Sequence, residues 1–263
     1  MGPDVSAEEF VAYTSDQDAY ACSGQKCSAQ SILFMHENWV QAGIEEKIAT
    51  IASKRKLDDL TIGPVLTVTT ERMLEHIDAL CKLPGARVAF GGKPLGKLDV
   101  IIKSLKTNLN LIENHTIPEC YGAMQPTAVF VPLKEMAKAE NFDLVTTEIF
   151  GPFQVLTEYT CEDLPLVLDL LNRMKAFLTA SVVSNDIHFQ QKVLGRTVNG
   201  TTYVGIRGRT TGAPQNHWFG PAGDPRAGGI GTPEAIKLVW SCHREIIHDV
   251  GPIPEDWTTP PTS

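Results

Sequence analysis

A chain of 263 residues with 23 Lys plus Arg against 31 Asp plus Glu carries a net charge of −8, which argues against nucleic acid or an anionic membrane as its partner. Six cysteines (Cys22, Cys27, Cys81, Cys120, Cys161, Cys242) are scattered without paired spacing, which points away from a disulfide frame and from zinc and toward a reducing compartment. The length allows one large α/β domain or two small ones, and no apolar run approaches a membrane span. Met1 opens into the acidic stretch Gly2 to Phe10, with the composition of neither a signal nor a basic transit segment, so the start reads as cut.

In chain order, Val5 to Ala21 mixes acidic and aromatic residues and reads as a short strand followed by the start of a helix. Tyr20 to Phe34 then crowds small and polar residues around Cys27 before the apolar Ile32-Leu33-Phe34, which predicts a turn or short helical segment feeding a buried strand. Gly24 permits close backbone approach there, and helix N-terminal amides or Lys26 could add positive potential at the thiol. Local sequence alone favours a small buried apolar cysteine.

Apolar residues recurring every three to four positions predict one amphipathic helix from Glu37 to Lys56, with Val40, Ile44, Ile48 and Ile51 on its buried side, and a second from Thr69 to Lys82. A loop from Leu57 to Pro64 separates them. Ala86 to Gly92 reads as a short strand into a glycine turn, and Leu95 to Gln125 as an inserted hairpin or irregular excursion. Strands are expected at Thr127–Pro132, Asp143–Phe150, Phe153–Thr157, Leu178–Ser184 and Thr201–Ile206. A helical turn is expected over Leu133–Glu140, and helices over Asp163–Lys175 and Ile187–Leu194. Strands alternating with helices imply an α/β fold with an open, mostly parallel sheet and helices on both faces.

From Gly205 to Gly231 eight glycines and three prolines predict a long ordered loop, and loops of that length in compact domains usually carry function. No Gly-x-Gly-x-x-Gly joins a strand to a helix, so the glycines are not a dinucleotide fingerprint. Thr232-Pro233-Glu234 predicts a helix start running to Leu238. Trp240 to Asp249 fits a terminal strand, and Gly251 to Ser263 a surface tail.

The string GQKCSAQS (Gly24 to Ser31) resembles the nucleophile motif of the aldehyde dehydrogenase superfamily. With serine directly after the cysteine, it is similar to the plant-type mitochondrial 1-pyrroline-5-carboxylate (glutamate semialdehyde) dehydrogenase branch. Ile62-Gly63-Pro64, TEIFGP (Thr147 to Pro152), GRTTGAPQNHWFGPAGDPR (Gly208 to Arg226) and IGTPEAIKLVWSCHREII (Ile230 to Ile247) extend the resemblance along nearly the whole chain.

The resemblance implies the catalytic domain over residues 1–240, with a C-terminal strand and Pro-rich tail over 241–263. The cofactor-binding domain, the oxyanion asparagine and the general-base glutamate precede the nucleophile motif in that family, so the chain resembles a C-terminal half and is expected to be inactive alone. The implied roles are Cys27 as nucleophile, Glu148 and Phe150 at the nicotinamide ribose of NAD, Ser28, Gly231 and Thr232 as the substrate carboxylate anchor, and Phe219 in the aldehyde pocket. No metal is implied. Partners would be a small aldehyde and the missing half or another subunit, with a homo-oligomer in the full-length enzyme and a mitochondrial matrix location. Two other readings compete: a non-catalytic subunit docking in a larger assembly, and a stand-alone thiol esterase using Cys27. An esterase needs a general base, and His36 is the nearest histidine, expected at a strand-end surface.

Overall fold

The computed structural model describes residues 1–98, 116–211 and 244–262. The chain divides into two compact units. One gathers Met1–Thr14, Phe34–Ile44 and Glu158–Thr259, the other Ser15–Leu33, Glu45–Thr157 and Pro260–Ser263.

Most of a four-stranded sheet in the order β1-β6-β5-β2 lies in the second unit, from β1 (Ile32–His36), β2 (Arg87–Phe90), β5 (Thr127–Phe130) and β6 (Phe153–Tyr159), with Phe34–His36 and Glu158–Tyr159 counted in the first. β5 and β6 run parallel from Thr127↔Phe153 to Phe130↔Leu156, and β2 lies antiparallel to β5. β5 and β6 are buried on both faces, as expected of strands inside a covered parallel sheet. Between β2 and β5, the short pair β3 (Lys97–Leu98) and β4 (Thr116–Ile117) runs parallel. Residues 99–115 of the expected excursion lie outside the described residues.

Helix α4 (Thr70–Cys81) confirms its periodicity. The Thr69 hydroxyl accepts from the Arg72 amide at 3.2 Å, and Met73, Ile77 and Leu80 are buried. His76 shares that side. Burial holds its imidazole at about 4, down from the usual 6.5, its Nε2 has no hydrogen-bond partner among the described residues, and its ring meets Phe153 edge-on at 5.4 Å. The unfolded chain takes up this proton more readily than the folded one. Stability from this site is therefore complete above about pH 6.5 and is lost progressively as pH falls through about 4. Urea midpoints measured down this range are expected to fall less steeply for His76→Phe than for the wild type, and equal slopes would contradict the assignment.

Three expected elements are corrected. No strand opens Val5–Ala21. Helix α1 occupies Glu8–Tyr20, and from Val11 to Tyr20 every residue but Tyr13 is buried. A helix enclosed on nearly all sides has no polar stripe, so periodicity is silent. The single helix over Glu37–Lys56 is two, α2 (Glu37–Gln41) and α3 (Ile44–Ala52). Gly43 divides them by taking a left-handed φ of 74°, a conformation that ends helices.

Asp143–Phe150 is likewise not a strand. After α5 (Leu133–Ala137), helix α6 (Ala139–Val145) runs through it, and Thr146–Pro152 is irregular. Phe142 and Val145, three apart, are buried together, and the Thr146 and Thr147 hydroxyls donate to carbonyls four residues back at 2.8 and 2.6 Å. Those bonds neutralise the β-branched run that suggested a strand.

The first unit contains an all-parallel sheet in the order β7-β8-β9, from β7 (Thr179–Val182), β8 (Thr201–Val204) and β9 (Glu245–His248). Helix α7 (Leu164–Arg173) precedes β7. Helix α8 (Ile187–Leu194), capped by the Asp186 carboxylate on the His188 and Phe189 amides, makes the crossover to β8. β7 is less buried than expected: only Val182 is enclosed. The tail is mostly exposed, and the Trp257 ring packs on Phe10 and Tyr13 at 5.4 and 5.8 Å. Among the described residues no helix is long and apolar enough to cross a membrane.

Candidate active site

All the described site geometry falls within the second unit. From the end of α1 the chain passes through a 3-10 segment, Ala21–Gly24, in which Cys22, Ser23 and Gly24 take consecutive left-handed φ values of 56°, 57° and 67°. Two of these are not glycine, and each such residue costs roughly 1–3 kcal/mol unless its surroundings hold it. The surroundings do so. The Ser23 hydroxyl accepts from the Gly63 amide at 2.8 Å and donates to the Gly63 carbonyl at 2.9 Å. The Gln25 amide group donates to the Pro64 carbonyl at 3.1 Å and accepts from the Leu66 amide at 2.9 Å. The Ile62-Gly63-Pro64 loop is thus the clamp for the cysteine segment.

Gly24 is fixed by a second contact. A β-carbon there would lie 2.1 Å from the Gly151 carbonyl oxygen, far inside contact distance, so only glycine fits. This approach brings the two most specific sequence strings together. Gly24 and Ala29–Ile32 on one side, and Thr146–Gly151 on the other, line a small open cleft.

Cys27 occupies the turn between these lining residues, closed by the Ala29 amide donating to the Lys26 carbonyl at 3.0 Å, and its side chain is exposed. It is not itself part of the cleft lining. The adjoining helical element ends before Cys27 instead of starting after it, so the expected help from an adjoining helix N-terminus is absent. Lys26 does not face the thiol as a free charge either: its Nζ donates to the Gln17 carbonyl at 3.3 Å. Ser28 is the next residue of the turn and half-buried.

Behind the turn, buried hydrogen bonds lock the start of β1. The Gln30 amide group donates to Gln154 Oε1 at 2.7 Å, Gln154 Nε2 donates to the Tyr20 hydroxyl at 2.8 Å, and that hydroxyl donates to the Thr127 carbonyl at 3.1 Å. Sequence reading missed Gln30, Gln154 and Tyr20 as supports. A polar Gln154 between the apolar Phe153 and Val155 was the available signal.

Glu148 and Phe150 both line the cleft. Glu148 reaches solvent, yet its partial desolvation raises the carboxyl above its ordinary range, and it makes no hydrogen bond or ion pair among the described residues. Phe150 holds a left-handed φ of 52° in the cleft wall. An unpartnered carboxylate beside an aromatic ring in an open cleft suits paired hydroxyls next to an apolar face, the donor pattern of a ribose. Phe219, Gly231 and Thr232 lie outside the described residues, as does most of the glycine-rich loop.

His36 is not a surface residue: it is 2% exposed in the first unit. Its Nε2 lies 3.2 Å from the Cys161 sulfur, so it is already engaged with another thiol, which counts against the esterase reading. No cluster of metal-ligating side chains occurs among the described residues.

Solved structures place this fold with the aldehyde dehydrogenase catalytic domains. One example is a gamma-glutamyl-gamma-aminobutyraldehyde dehydrogenase from Burkholderia cenocepacia, matched over 83% of this chain and 38% of that one with a TM-score of 0.61 at 20% identity. Over its whole length the chain is 62% identical to a probable aldehyde dehydrogenase of Linum usitatissimum, of which it covers 45%. It is 60% identical to the mitochondrial Delta-1-pyrroline-5-carboxylate dehydrogenase 12A1 of Arabidopsis thaliana, of which it covers 44%. The chain is therefore homologous throughout to aldehyde dehydrogenases, a family of oxidoreductases, and corresponds to less than half of these relatives, in their C-terminal part. No family model matches it.

Proposed function

We propose that this chain is the nucleophile-bearing part of an NAD-dependent 1-pyrroline-5-carboxylate (glutamate semialdehyde) dehydrogenase of the mitochondrial matrix. Residues 1–240 form the catalytic domain and 241–263 a terminal strand and tail. The observation that carries the reading is the meeting of the Cys27 segment with Thr146–Gly151 across one cleft, through the glycine-to-backbone contact of Gly24 and Gly151. The identity to the Arabidopsis enzyme supports the substrate.

In this reading the Cys27 sulfur attacks the aldehyde carbon and holds it first as a thiohemiacetal, then as a thioester that water opens to the acid, restoring the thiol. Bound NAD supplies the hydride acceptor. The Cys27 amide, which has no acceptor among the described residues, is an oxyanion donor. Glu148 accepts from the ribose hydroxyls and Phe150 packs beside them. Ser28, Gly231 and Thr232 hold the substrate carboxylate, and Phe219 lines the aldehyde pocket. The 263 residues assayed alone are expected to give no NADH, and activity is expected only with the segment that the relatives carry before them.

Glu148→Gln tests the site. The folded state holds the raised Glu148 proton more tightly than the unfolded chain, so the ionised carboxylate costs stability above its shifted value and protonation relieves that cost. The glutamine variant should be at least as stable near neutral pH. Its KM for NAD should nonetheless rise about 10–100-fold, the effect of losing a charged hydrogen-bond acceptor. An unchanged KM for NAD would remove the ribose assignment.

A further inference from the structure

We propose that Cys161 and His36 form a thiol–disulfide exchange site in the first unit, separate from Cys27 and independent of the function proposed above. Cys161 is exposed and free, while His36, 2% exposed, places Nε2 3.2 Å from its sulfur. The Asn38 backbone amide donates to His36 Nδ1 at 3.2 Å, and a backbone N–H can only donate. Nδ1 is therefore the acceptor nitrogen, and in the neutral ring the proton sits on Nε2, directed at the sulfur. Burial keeps the ring neutral by lowering its proton affinity. Tyr159, edge-on at 5.3 Å, fixes the plane of the imidazole.

A neutral donor held against the sulfur stabilises negative charge that develops there. In exchange, the Cys161 sulfur attacks one sulfur of a small disulfide, a new S–S bond forms as the old one breaks, and the other half leaves as a thiolate. The thiol proton passes to solvent. The reverse attack by an external thiol expels the Cys161 sulfur with the same developing charge, so one N–H assists both directions and the modification is reversible. Because the donor is Nε2–H, His36 does not act as a base here. Glu37, the Met1 amino group and Glu162 all lie close enough to His36 to act on its charge. Burial pushes the amino group down to about 5, so near neutral pH the two carboxylates leave the surroundings acidic and favour a neutral or cationic disulfide over an anionic one.

The test follows mixed-disulfide formation by peptide mass spectrometry on the whole chain with cystamine, using the exposed Cys120 as internal reference. Cys161 is expected to react about tenfold faster than Cys120. An anionic aromatic disulfide should react severalfold more slowly than cystamine at Cys161 at low salt, with the difference shrinking at high salt. His36→Asn keeps a good helix cap for α2 but cannot reach the sulfur. It should bring the Cys161 rate down to that of Cys120 without changing the Cys120 rate. Equal rates at the two cysteines in the wild type would overturn the proposal, as would a His36→Asn variant with Cys161 undiminished. Should that variant unfold, the wild-type rate comparison still decides.

Discussion

Cys27→Ala in the assembled enzyme is expected to lower kcat by at least about a thousandfold, since without a nucleophile the two-step route through a covalent intermediate is lost. Folding should be untouched, because the exposed Cys27 side chain makes no packing contribution that a methyl group cannot replace. Alkylation separates this role from a structural one. In the wild type, iodoacetamide should label Cys27 well before Cys81, whose thiol is pushed up by burial and by Asp78. Full turnover by the alanine variant, or Cys81 labelled first, would end the nucleophile assignment.

The largest stability effect is expected from Asp16→Ala. The Arg55 guanidinium donates through Nη2 to Asp16 Oδ2 at 2.6 Å and through Nε to Oδ1 at 3.3 Å, with both side chains fully enclosed. Burial outweighs the arginine and leaves the Asp16 carboxyl above its ordinary range, so the pair is itself no large source of stability. Removing one member is another matter, because the guanidinium would remain inside without the carboxylate that meets both its Nη2 and its Nε. A loss of about 3–5 kcal/mol is expected. Arg55 also donates to the Thr61 carbonyl at 2.9 Å, two residues before the Gly63 that clamps Ser23. The loosened variant should therefore alkylate faster at Cys27. A urea midpoint within experimental error of the wild type would contradict this account.

Much of this was legible because the decisive residues are local signals. The apolar period from Thr69 marked α4, and Gly24 marked a close backbone approach that no side chain could allow. The misread elements failed for identifiable reasons. α1 is enclosed on nearly every side, so its buried Asp16, Gln17 and Asp18 imitate a surface segment. At Val145-Thr146-Thr147 strand propensity pointed one way, while hydroxyl bonds to the preceding turn, invisible in composition, settled the helix. His36 looked like a strand-end surface residue because nothing in sequence shows that residue 161 returns beside it. The candidate site itself was read mainly from resemblance. Only the meeting of its two strings required coordinates.

The segmental make-up of the two units bears on how the protein is synthesised. Met1–Thr14 and Phe34–Ile44 share a unit with Glu158–Thr259, so these early segments meet only each other until the stretch beyond residue 157 has been synthesised. At about 5–20 residues per second, that interval lasts on the order of ten seconds. During it Val11, Ala12 and Trp39, all enclosed in the finished fold, lack the cover that Glu158–Thr259 brings to their unit. Nascent chains stalled between residues 60 and 150 should accordingly be protease-sensitive and bound by holding chaperones, and this unit should close only late, through contacts distant in sequence.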